Sequence, residues 1–341
     1  MSETKEMEMP PAAYLGRLVD DTYFLHTIFA AAQLGIADLL NNGPRSIADL
    51  AEASGTHAPS LYRLLRALAS RGVFREDADG RFSLTSLAGP LRRDAPDSVH
   101  NSLLLAGNEA NLRMFANLAY SVRTGQPAFE HLYGKAWYDY LDEQPELAQV
   151  FNTMMANRST RAGAAIVDSY DFSRYRRIVD LGGGQGALLA RILDRNATAS
   201  GVLFDTAQVI AIAQGAIDKH VAQGRAEKVA GDFFQAVPQG GDAYVLRFII
   251  HDWDDEHAVT ILKNCRQAMA EKGRVLLVEL VIPTGNEPSP VKFIDLIMLL
   301  TFHGRERTVA EYRDLLRQAG LQLVKIIPAA LPFNIIEAVS S

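Results

Sequence analysis

The stretch VDLGGGQGALLARIL, residues 179–193, decides the fold class of this chain. An apolar, strand-like segment runs into glycines at positions 182, 183, 184 and 186, and a helical pattern follows directly. A glycine turn of this kind lets the backbone approach a ligand closely at the N-terminus of a helix. It could instead be a turn that binds nothing. A nicotinamide-dinucleotide turn has the spacing G-x-G-x-x-G, whereas the spacing here is D-x-G-x-G-x-G, with Asp180 ahead of the glycines.

The residues from Tyr175 onward alternate between strand and helix patterns, which is typical of an α/β fold. Short segments rich in β-branched residues predict strands in RRIVDL, SGVLFD, AEKVAGD, AYVLRFII and GRVLLVEL. Their nearly continuous apolar character favours a parallel sheet covered on both faces. The last two strands, in LQLVKIIPAA and PFNIIEAVSS, are joined by too few residues for a crossover helix and must be antiparallel. We therefore expect a doubly wound, Rossmann-like sheet whose last strand is antiparallel.

The residues before this sheet have a mainly helical pattern. Two short helices are followed by a hairpin with an Asp-Gly tip at 79–80, which is a winged-helix pattern. Arginines in and after the second helix could contact DNA, but Leu61, Leu65 and Leu68 turn much of that helix toward a core. Packing and dimerisation are therefore favoured over DNA binding. We expect three segments: a winged-helix-like N-terminal domain over 1–105, a helical linker with part of the substrate pocket over 106–170, and the sheet domain over 171–341.

The composition narrows the class of protein. A length of 341 residues is too great for one compact core and suggests two or three domains. The formal net charge of −6 argues against nucleic acid as a partner, since affinity for phosphate depends on clustered Lys and Arg. The single cysteine, Cys265, cannot form an intrachain disulfide. The sequence shows no signal-like leader and no apolar run of about 18 residues, so we expect a cytoplasmic protein without a membrane partner.

Acidic residues end the first three predicted strands, at Asp180, Asp205 and Asp232. In open α/β sheets, ligands bind beyond the carboxyl ends of the strands, so these side chains should lie near one site. A carboxylate at Asp205 can accept hydrogen bonds from both hydroxyls of a ribose, and Asp232 with Phe233 suits the amino group and face of an adenine. Acids at these positions without a phosphate cradle fit an adenosine that carries no pyrophosphate. The pattern therefore points to S-adenosylmethionine.

The fourth strand ends in FIIHDWDDEHA, residues 248–258, which places His251 at the same edge of the sheet. Histidine titrates near neutrality and can remove a proton from a phenol. The acids at 254–256 precede an amphipathic stretch and are predicted to cap the helix that follows. A metal site would require His251 to converge with His257, which their predicted positions on a strand and a helix disfavour.

Several motifs, taken in order, resemble those of one enzyme family: VDLGGGQG, FDTAQVI, AGDFF, HDWDDEHAVTILKNC, VELVIP and HGRERT. Over nearly its whole length the chain is similar to the cation-independent small-molecule O-methyltransferases, which include plant enzymes of the caffeate type and bacterial enzymes that methylate aromatic antibiotics. The resemblance implies a class I methyltransferase sheet that binds S-adenosylmethionine without a metal ion. It also implies a winged-helix dimerisation domain and an intertwined homodimer formed through the N-terminal helices, which agrees with the apolar segment from Tyr23 to Leu40.

The resemblance also implies roles for individual residues. His251 matches the general base that deprotonates the substrate hydroxyl, and Glu279 and Glu306 match the acids that orient it. The expected cofactor contacts combine those that the resemblance implies with the strand-end and glycine-turn residues named above. They are Asp180, Gly182, Gly184, Asp205, Asp232, Phe233 and Arg247. Arg247 stands where many relatives have Lys. The expected substrate pocket includes Phe151, Met155, Asp252 and Met298. The segment FNTMMANRS departs from the small-x-Ser-x-His pattern frequent in plant relatives, so the substrate does not follow from the resemblance.

Three functions remain compatible with the sequence. The first is methyl transfer to a phenolic hydroxyl of an aromatic natural product, such as a polyketide or a phenazine. The second is a methyltransferase-like protein that binds S-adenosylmethionine but hydroxylates or decarboxylates an aromatic polyketide, and the intact His251, Glu279 and Glu306 argue against it. The third is a DNA-binding regulator, against which the acidic net charge argues.

Overall fold

The computed structural model describes residues 9–329 and 332–341, with side chains for all of them except residues 156–162. The chain divides into two compact units. One unit contains the residues up to Ala116 together with Leu141–Met154, and the other contains Asn117–Tyr140 together with Met155–Ser341. Within the described residues, no helix is long and apolar enough to cross a membrane.

The elements are labelled in chain order over the described residues. The helices are α1 (Pro11–Gln33), α2 (Ile36–Leu39), α3 (Ile47–Ser54), α4 (Ala58–Ser70), α5 (His100–Ala106), α6 (Glu109–Ala116), α7 (Leu118–Thr124), α8 (Ala128–Tyr133), α9 (Trp137–Asp142), α10 (Pro145–Ser169), α11 (Ala187–Arg195), α12 (Ala207–Ile212), α13 (Asp218–Ala222), α14 (Asp255–Ala268), α15 (Val291–Thr301) and α16 (Val309–Gln318). The strands are β1 (Arg45–Ser46), β2 (Phe74–Glu76), β3 (Arg81–Leu84), β4 (Arg177–Leu181), β5 (Ser200–Asp205), β6 (Ala226–Ala230), β7 (Ala243–Arg247), β8 (Arg274–Ile282), β9 (Arg307–Thr308), β10 (Leu321–Pro328) and β11 (Phe333–Ser340). Turns of 3-10 helix lie at Gly89–Leu91 and Ile250–Asp252.

The first unit contains the predicted winged-helix pattern, which is confirmed. Helix α3 begins with a capping box in which the Ser46 hydroxyl accepts from the backbone N–H of Asp49 and the Asp49 carboxylate accepts from that of Ser46. Helices α3 and α4 are followed by the hairpin of β2 and β3, and the small sheet has the order β1-β3-β2. Apolar side chains such as Leu50, Leu65 and Phe82 form the core.

The second unit is built on a mixed sheet with the strand order β10-β11-β8-β7-β4-β5-β6 and with β9 beside β8. Neighbours among β4 to β8 are parallel, whereas β11 is antiparallel to both β8 and β10. The predicted Rossmann-like sheet with an antiparallel last strand is therefore confirmed. Apolar clusters cover both of its faces. The chain leaves β4 toward β5 and later returns to β7 on the other side, so the strand order reverses at the β4–β7 boundary, where ligands bind in such sheets.

Three elements differ from the predicted pattern. Strand β7 ends at Arg247 rather than at Ile250, because Phe248 has a φ of +56° and turns the chain out of the sheet. The stretch AQVIAIAQGAIDKHV, residues 207–221, has the pattern of one helix, but it forms the pair α12 and α13, with Gly215 between them at a φ of +102°. The alternating pattern of strands and helices does not predict helix α15. Its sequence, VKFIDLIMLLT, is apolar along most of its length and lacks the continuous polar face that marks a helix in the sequence.

Candidate active site

The glycine turn lies between the carboxyl ends of β4 and β7. A Cβ atom on Gly182 would overlap the side chain of Ile249, which follows β7, and Gly182 has a φ of +65°. Gly184 also has a positive φ, +58°, but a Cβ atom there would meet nothing within 4 Å, so the turn opens toward free space. Helix α11 begins directly afterwards, at Ala187, and its first N–H groups favour a polar ligand at this edge of the sheet.

The residues predicted for ribose and adenine follow the two neighbouring strands. Asp205, at the end of β5, accepts hydrogen bonds from the backbone N–H of Gly184 at 2.9 Å and from that of Thr206 at 2.8 Å. Its oxygens keep lone pairs for the hydroxyls of a ribose. Asp232 follows β6 and is exposed, and the ring of Phe233 beside it is half-buried. Because β4, β5 and β6 are parallel neighbours, these groups share one edge with the glycine turn, as the predicted adenosine site requires.

Asp180 is packed against the glycine turn. Its side chain is buried, its Oδ2 atom has no hydrogen-bond partner among the described residues, and a Cβ atom on Gly183 would lie 2.7 Å from that oxygen. Burial raises the pKa of Asp180 to about 7, although the positive charge of Arg247 opposes the rise. Arg247 ends β7, so the two opposite charges face each other across the β4–β7 boundary. The structure thus places Asp180 against the glycine turn, and direct contact of either residue with the cofactor stays a prediction.

The chain bends sharply between β7 and His251. Among the described residues, Phe248 is the one non-glycine residue with a positive φ, a conformation that costs a bulky residue about 1–3 kcal/mol. Its N–H donates to the carbonyl of Val278 at 3.1 Å. Its ring centroid lies 5.1 Å from that of Phe333 and 5.6 Å from that of the His251 imidazole. The 3-10 turn over 250–252 follows, so these contacts hold His251 outside the sheet against a stacked aromatic ring.

Two buried glutamates approach the same nitrogen of His251. Nδ1 lies 2.9 Å from Oε1 of Glu306 and 3.9 Å from Oε2 of Glu279. Oε1 of Glu279 accepts from the backbone N–H groups of Ile249 and Ile250, at 3.2 and 2.9 Å. A carboxylate at Nδ1 favours the tautomer that carries its proton there, which leaves the lone pair of Nε2 free to accept a proton. The structure thus brings the three predicted catalytic residues together.

Nearby negative charge controls the protonation of His251. Burial alone lowers the pKa of His251, but the surrounding carboxylates, first Glu279 and then Glu306, outweigh burial and raise that pKa to about 9. Burial raises the pKa of Glu279 to about 7, against the attraction of His251. A phenol has a pKa of about 10, so a base of this strength can take its proton at little cost.

The acidic residues that follow His251 in the sequence lie in different environments. Asp252 lies on the other side of the imidazole, with Oδ1 3.4 Å from Nε2, next to the nitrogen that would face a substrate. Burial raises the pKa of Asp252, and the positive charge of His251 opposes this. Asp254 is the N-cap of α14, as predicted, and accepts from the backbone N–H of His257 at 2.9 Å.

His251, Glu279 and Glu306 each offer one possible metal-ligand atom within 4.8 Å of the others. This group does not include His257, the second histidine of the metal site considered from the sequence. The ring of His257 is hydrogen-bonded to Asp254 instead. Zinc holds its ligands at about 2.0–2.2 Å in a tetrahedron, which sets the ligand atoms roughly 3.3 Å or more apart. The 2.9 Å between Nδ1 of His251 and Glu306 is a hydrogen-bond distance and is too short for two ligands of one such ion. The arrangement is that of a hydrogen-bonded imidazole and carboxylate.

The predicted pocket residues lie on different elements. Met298 lies on α15 and is buried, and Met155 lies on α10 in the second unit and is half-buried. Phe151, earlier on the same helix, belongs to the first unit and is also half-buried. The structure places Asp252 beside His251, and the pocket roles of all four residues stay predictions.

Two residues of the HGRERT motif make contacts that the sequence pattern does not assign. A Cβ atom on Gly304 would overlap the carbonyl oxygen of His251, so glycine is required for this close approach. Arg307 is charged but fully buried, and its guanidinium donates to backbone carbonyls of the turn that carries His251. The sequence offers one indication that Gly304 and Arg307 belong to the site, because both lie within two residues of Glu306.

Comparison with known proteins shows the family of the chain. The family model of the O-methyltransferase domain matches residues 115–322, and that of the O-methyltransferase dimerisation domain matches residues 17–92. The phenazine O-methyltransferase of Lysobacter antibioticus is 39% identical over 330 residues, which are 97% of this chain and 96% of that protein.

Solved structures give the same result. The mitomycin 7-O-methyltransferase superimposes with a TM-score of 0.88 at 31% identity, over 97% of this chain and 98% of its own. An O-methyltransferase from neocarzinostatin biosynthesis, solved with S-adenosylmethionine and 2-hydroxy-5-methyl naphthoic acid, superimposes with a TM-score of 0.81 at 36% identity, over 93% of this chain and 96% of its own. The assignment of the glycine turn and the strand-end acids to S-adenosylmethionine stays a prediction. The chain itself belongs to the S-adenosylmethionine-dependent O-methyltransferase family.

Proposed function

We propose that this protein transfers the methyl group of S-adenosylmethionine to a phenolic hydroxyl of an aromatic natural product, with His251 as the general base. The observation that carries the proposal is the placement of the imidazole. Its Nδ1 atom is bonded to the buried Glu306 at 2.9 Å, and both glutamates are on that side of the ring. Nε2 is left as a proton acceptor at the edge of the sheet where the glycine turn also lies.

Each part of the site has a task in this reaction. Asp205 and the glycine turn bind the ribose, and Asp232 with Phe233 binds the adenine. Bound S-adenosylmethionine supplies a methyl group on a positively charged sulfur, which is electrophilic without further activation. The residues of the chain therefore have to orient the acceptor in line with that methyl group and remove one proton, which are effects of positioning and of general base catalysis.

The proton of the acceptor hydroxyl passes to Nε2 of His251 as the bond from oxygen to the methyl carbon forms and the bond from that carbon to sulfur breaks, which leaves the neutral thioether S-adenosylhomocysteine. The imidazole then carries a positive charge, which Glu306 at Nδ1 and Glu279 behind it stabilise. Glu279 has a second task, because it holds the backbone of the turn in place. The imidazolium can return its proton to solvent, since its side chain is 15% exposed.

The class of acceptor rests on the relatives. They are named for a phenazine and for mitomycin, and one is solved with a hydroxylated naphthoic acid. We infer that the acceptor of this chain is likewise a fused-ring secondary metabolite with a free aromatic hydroxyl, such as a polyketide or a phenazine.

A homodimer formed through the N-terminal helices is part of the proposal. The matched dimerisation domain covers residues 17–92. In a single copy, helix α1 leaves several large apolar side chains exposed, namely Leu15, Leu18, Val19 and Tyr23. Monomeric soluble proteins seldom expose such a continuous run, so a second copy of the chain suits this surface. Sedimentation should give twice the mass of one chain, and a stable monomer at micromolar concentration would contradict the dimer.

The reaction is tested with purified protein, S-adenosylmethionine and a panel of phenols, flavonoids, phenazines and anthracycline-like aglycones. Mass spectrometry should detect an O-methylated product that forms without added Mg²⁺ and in the presence of EDTA. Oxygen uptake is followed in the same reactions, because it reports hydroxylation. An unmethylated, oxidised or decarboxylated product would contradict methyl transfer, and activity that EDTA abolishes and a divalent ion restores would contradict independence from metal.

A further inference from the structure

Arg307 is fully buried and is the largest such side chain among the described residues. It follows Glu306 directly and begins β9, where it pairs with Val281 of β8. A buried guanidinium is costly unless its N–H groups find acceptors, so the acceptors of Arg307 indicate what the side chain does.

The guanidinium of Arg307 joins both ends of the turn that carries His251. Nη1 donates to the carbonyl of Ile250 at 3.0 Å, and Nη2 donates to the carbonyl of Trp253 at 2.8 Å. Nε and Nη2 both donate to Oδ1 of Asp255, at 3.1 and 2.8 Å. Because the two carbonyls bracket the 3-10 turn, one side chain fixes its length and its orientation.

The bond between His251 and Glu306 joins two segments that Arg307 also holds together. Glu306 is its neighbour in the chain, and His251 lies between the two carbonyls that its guanidinium binds. A shift of either segment would lengthen the 2.9 Å distance from Nδ1 to Glu306. The backbone of Gly304 is so close to the carbonyl of His251 that a methyl group would not fit between the two segments.

We propose that Arg307 is a positioning residue for methyl transfer, which sets the His251 turn against the segment before β9 that carries Glu306. The proposal rests on the role of His251 as general base. Arginine is required because its planar fork donates in several directions at once. Lysine would keep the charge and could bind Asp255, but its single ammonium group could not reach both carbonyls in the same geometry.

Arg307→Lys is the direct test, and Arg305→Met is the matched control. Arg305 binds the other oxygen of Asp255 at 2.8 Å and Glu311 at 2.8 Å, and its side chain is 44% exposed. In Arg307→Lys we expect kcat to fall by at least about tenfold while the KM for S-adenosylmethionine changes by less than about twofold. Arg305→Met should keep kcat within about twofold of the wild-type value.

The pH profile distinguishes positioning from a loss of stability. A loosened turn weakens the bond to Glu306 and lowers the pKa of His251, so the acid limb of kcat/KM should move to lower pH by about half a unit or more. A smaller folded fraction would lower kcat without moving the limb. A folded Arg307→Lys protein whose limb stays at the wild-type pH would overturn the proposal, whether or not kcat falls.

Asp255→Asn takes the place of Arg307→Lys if the lysine variant does not fold. Asp255→Asn removes the charge that holds the guanidinium but keeps an oxygen that can accept a hydrogen bond. The acid limb of kcat/KM should therefore move in the same direction by a smaller amount, and an unmoved limb would overturn the proposal.

His251→Ala in the same assay separates the general-base role of His251 from the positioning role of Arg307. If that variant keeps full activity, the base role fails and the role of Arg307 falls with it. If it is inactive while Arg307→Lys behaves as wild type, the role of Arg307 alone is wrong.

Discussion

The Nδ1 atom of His251 lies 2.9 Å from Oε1 of Glu306, a residue 55 positions later in the chain. The bond joins the turn after β7 to the segment that leads into β9, and both segments lie beside β8, which carries Glu279. Both glutamates lie on the Nδ1 side of the imidazole, which suits the proposed role of Nε2 as the proton acceptor. His251, the two glutamates and the predicted cofactor residues therefore share one edge of one sheet.

Activity should rise with pH between about 7 and 9. His251 can accept a proton only when it is neutral, and its pKa is raised to about 9. The value of kcat/KM should therefore fall by up to about tenfold for each pH unit below 9.

Glu279→Gln removes a negative charge beside His251, while the amide oxygen of the glutamine can still accept hydrogen bonds from the turn. The pKa of His251 then falls, and the acid limb moves to lower pH. Profiles of kcat/KM for both proteins measure this, and a wild-type limb at about 6.5, the ordinary value for histidine, would contradict it.

Glu306→Gln should lower kcat far more than Glu311→Gln does. An amide at position 306 can donate to Nδ1 and so place the ring proton on Nε2, which blocks the base. We expect kcat to fall by about 10²- to 10⁴-fold with little change in the binding of S-adenosylmethionine. Glu311 belongs to the capping box of α16 with Thr308 and provides the same chemical change outside the site. Similar kcat values in the two variants would rule out the role of Glu306.

Gly304→Ala should impair catalysis because the new methyl group overlaps the carbonyl oxygen of His251. The turn has to shift, which should cost about 1–3 kcal/mol of unfolding free energy and lower kcat by about tenfold or more. Gly89→Ala is the control, since a Cβ atom there meets nothing within 4 Å. Denaturant unfolding and steady-state kinetics measure both effects. Equal stability and kcat in the two variants would show that the close approach is not needed.

Asp205→Asn should affect the cofactor rather than the proton transfer. The amide loses the charge and one acceptor oxygen, and a hydrogen bond to a charged group is worth about 1.5–3 kcal/mol. The KM for S-adenosylmethionine should therefore rise by about 10- to 100-fold, with kcat at saturation within a few-fold of wild type. Asp171→Asn, at an exposed turn, is the control. A normal KM with a low kcat would place Asp205 in the chemical step instead.

Most of the fold can be predicted from local patterns. The glycine turn after β4, the strands rich in β-branched residues and the short link between β10 and β11 each depend on neighbouring residues. Asp254 is predictable as an N-cap for the same reason. The early end of β7 is not predictable in this way. The positive φ of Phe248 is held by contacts with Val278 and Phe333, which are distant in the sequence.

The candidate site can be predicted in part. His251 and Asp205 follow from the rule that ligands bind beyond the carboxyl ends of parallel strands. No local pattern joins Glu279 or Glu306 to His251, so their place in the site comes from the family resemblance. Arg307 resembles a surface charge in the sequence, because charged residues are seldom buried unless paired. Its acceptors come from a segment that includes Trp253, 54 residues earlier, and meet it only in the folded chain.

Proton removal by His251 is tested most directly by the kcat of His251→Ala, measured at pH 9 with saturating S-adenosylmethionine. Calorimetric binding of S-adenosylmethionine and thermal unfolding are recorded on the same protein, so that a loss of activity is assigned to chemistry rather than to folding. We expect kcat to fall by at least about 10²-fold while the Kd for S-adenosylmethionine stays within about twofold of wild type. A folded His251→Ala protein with full activity would contradict the general-base role.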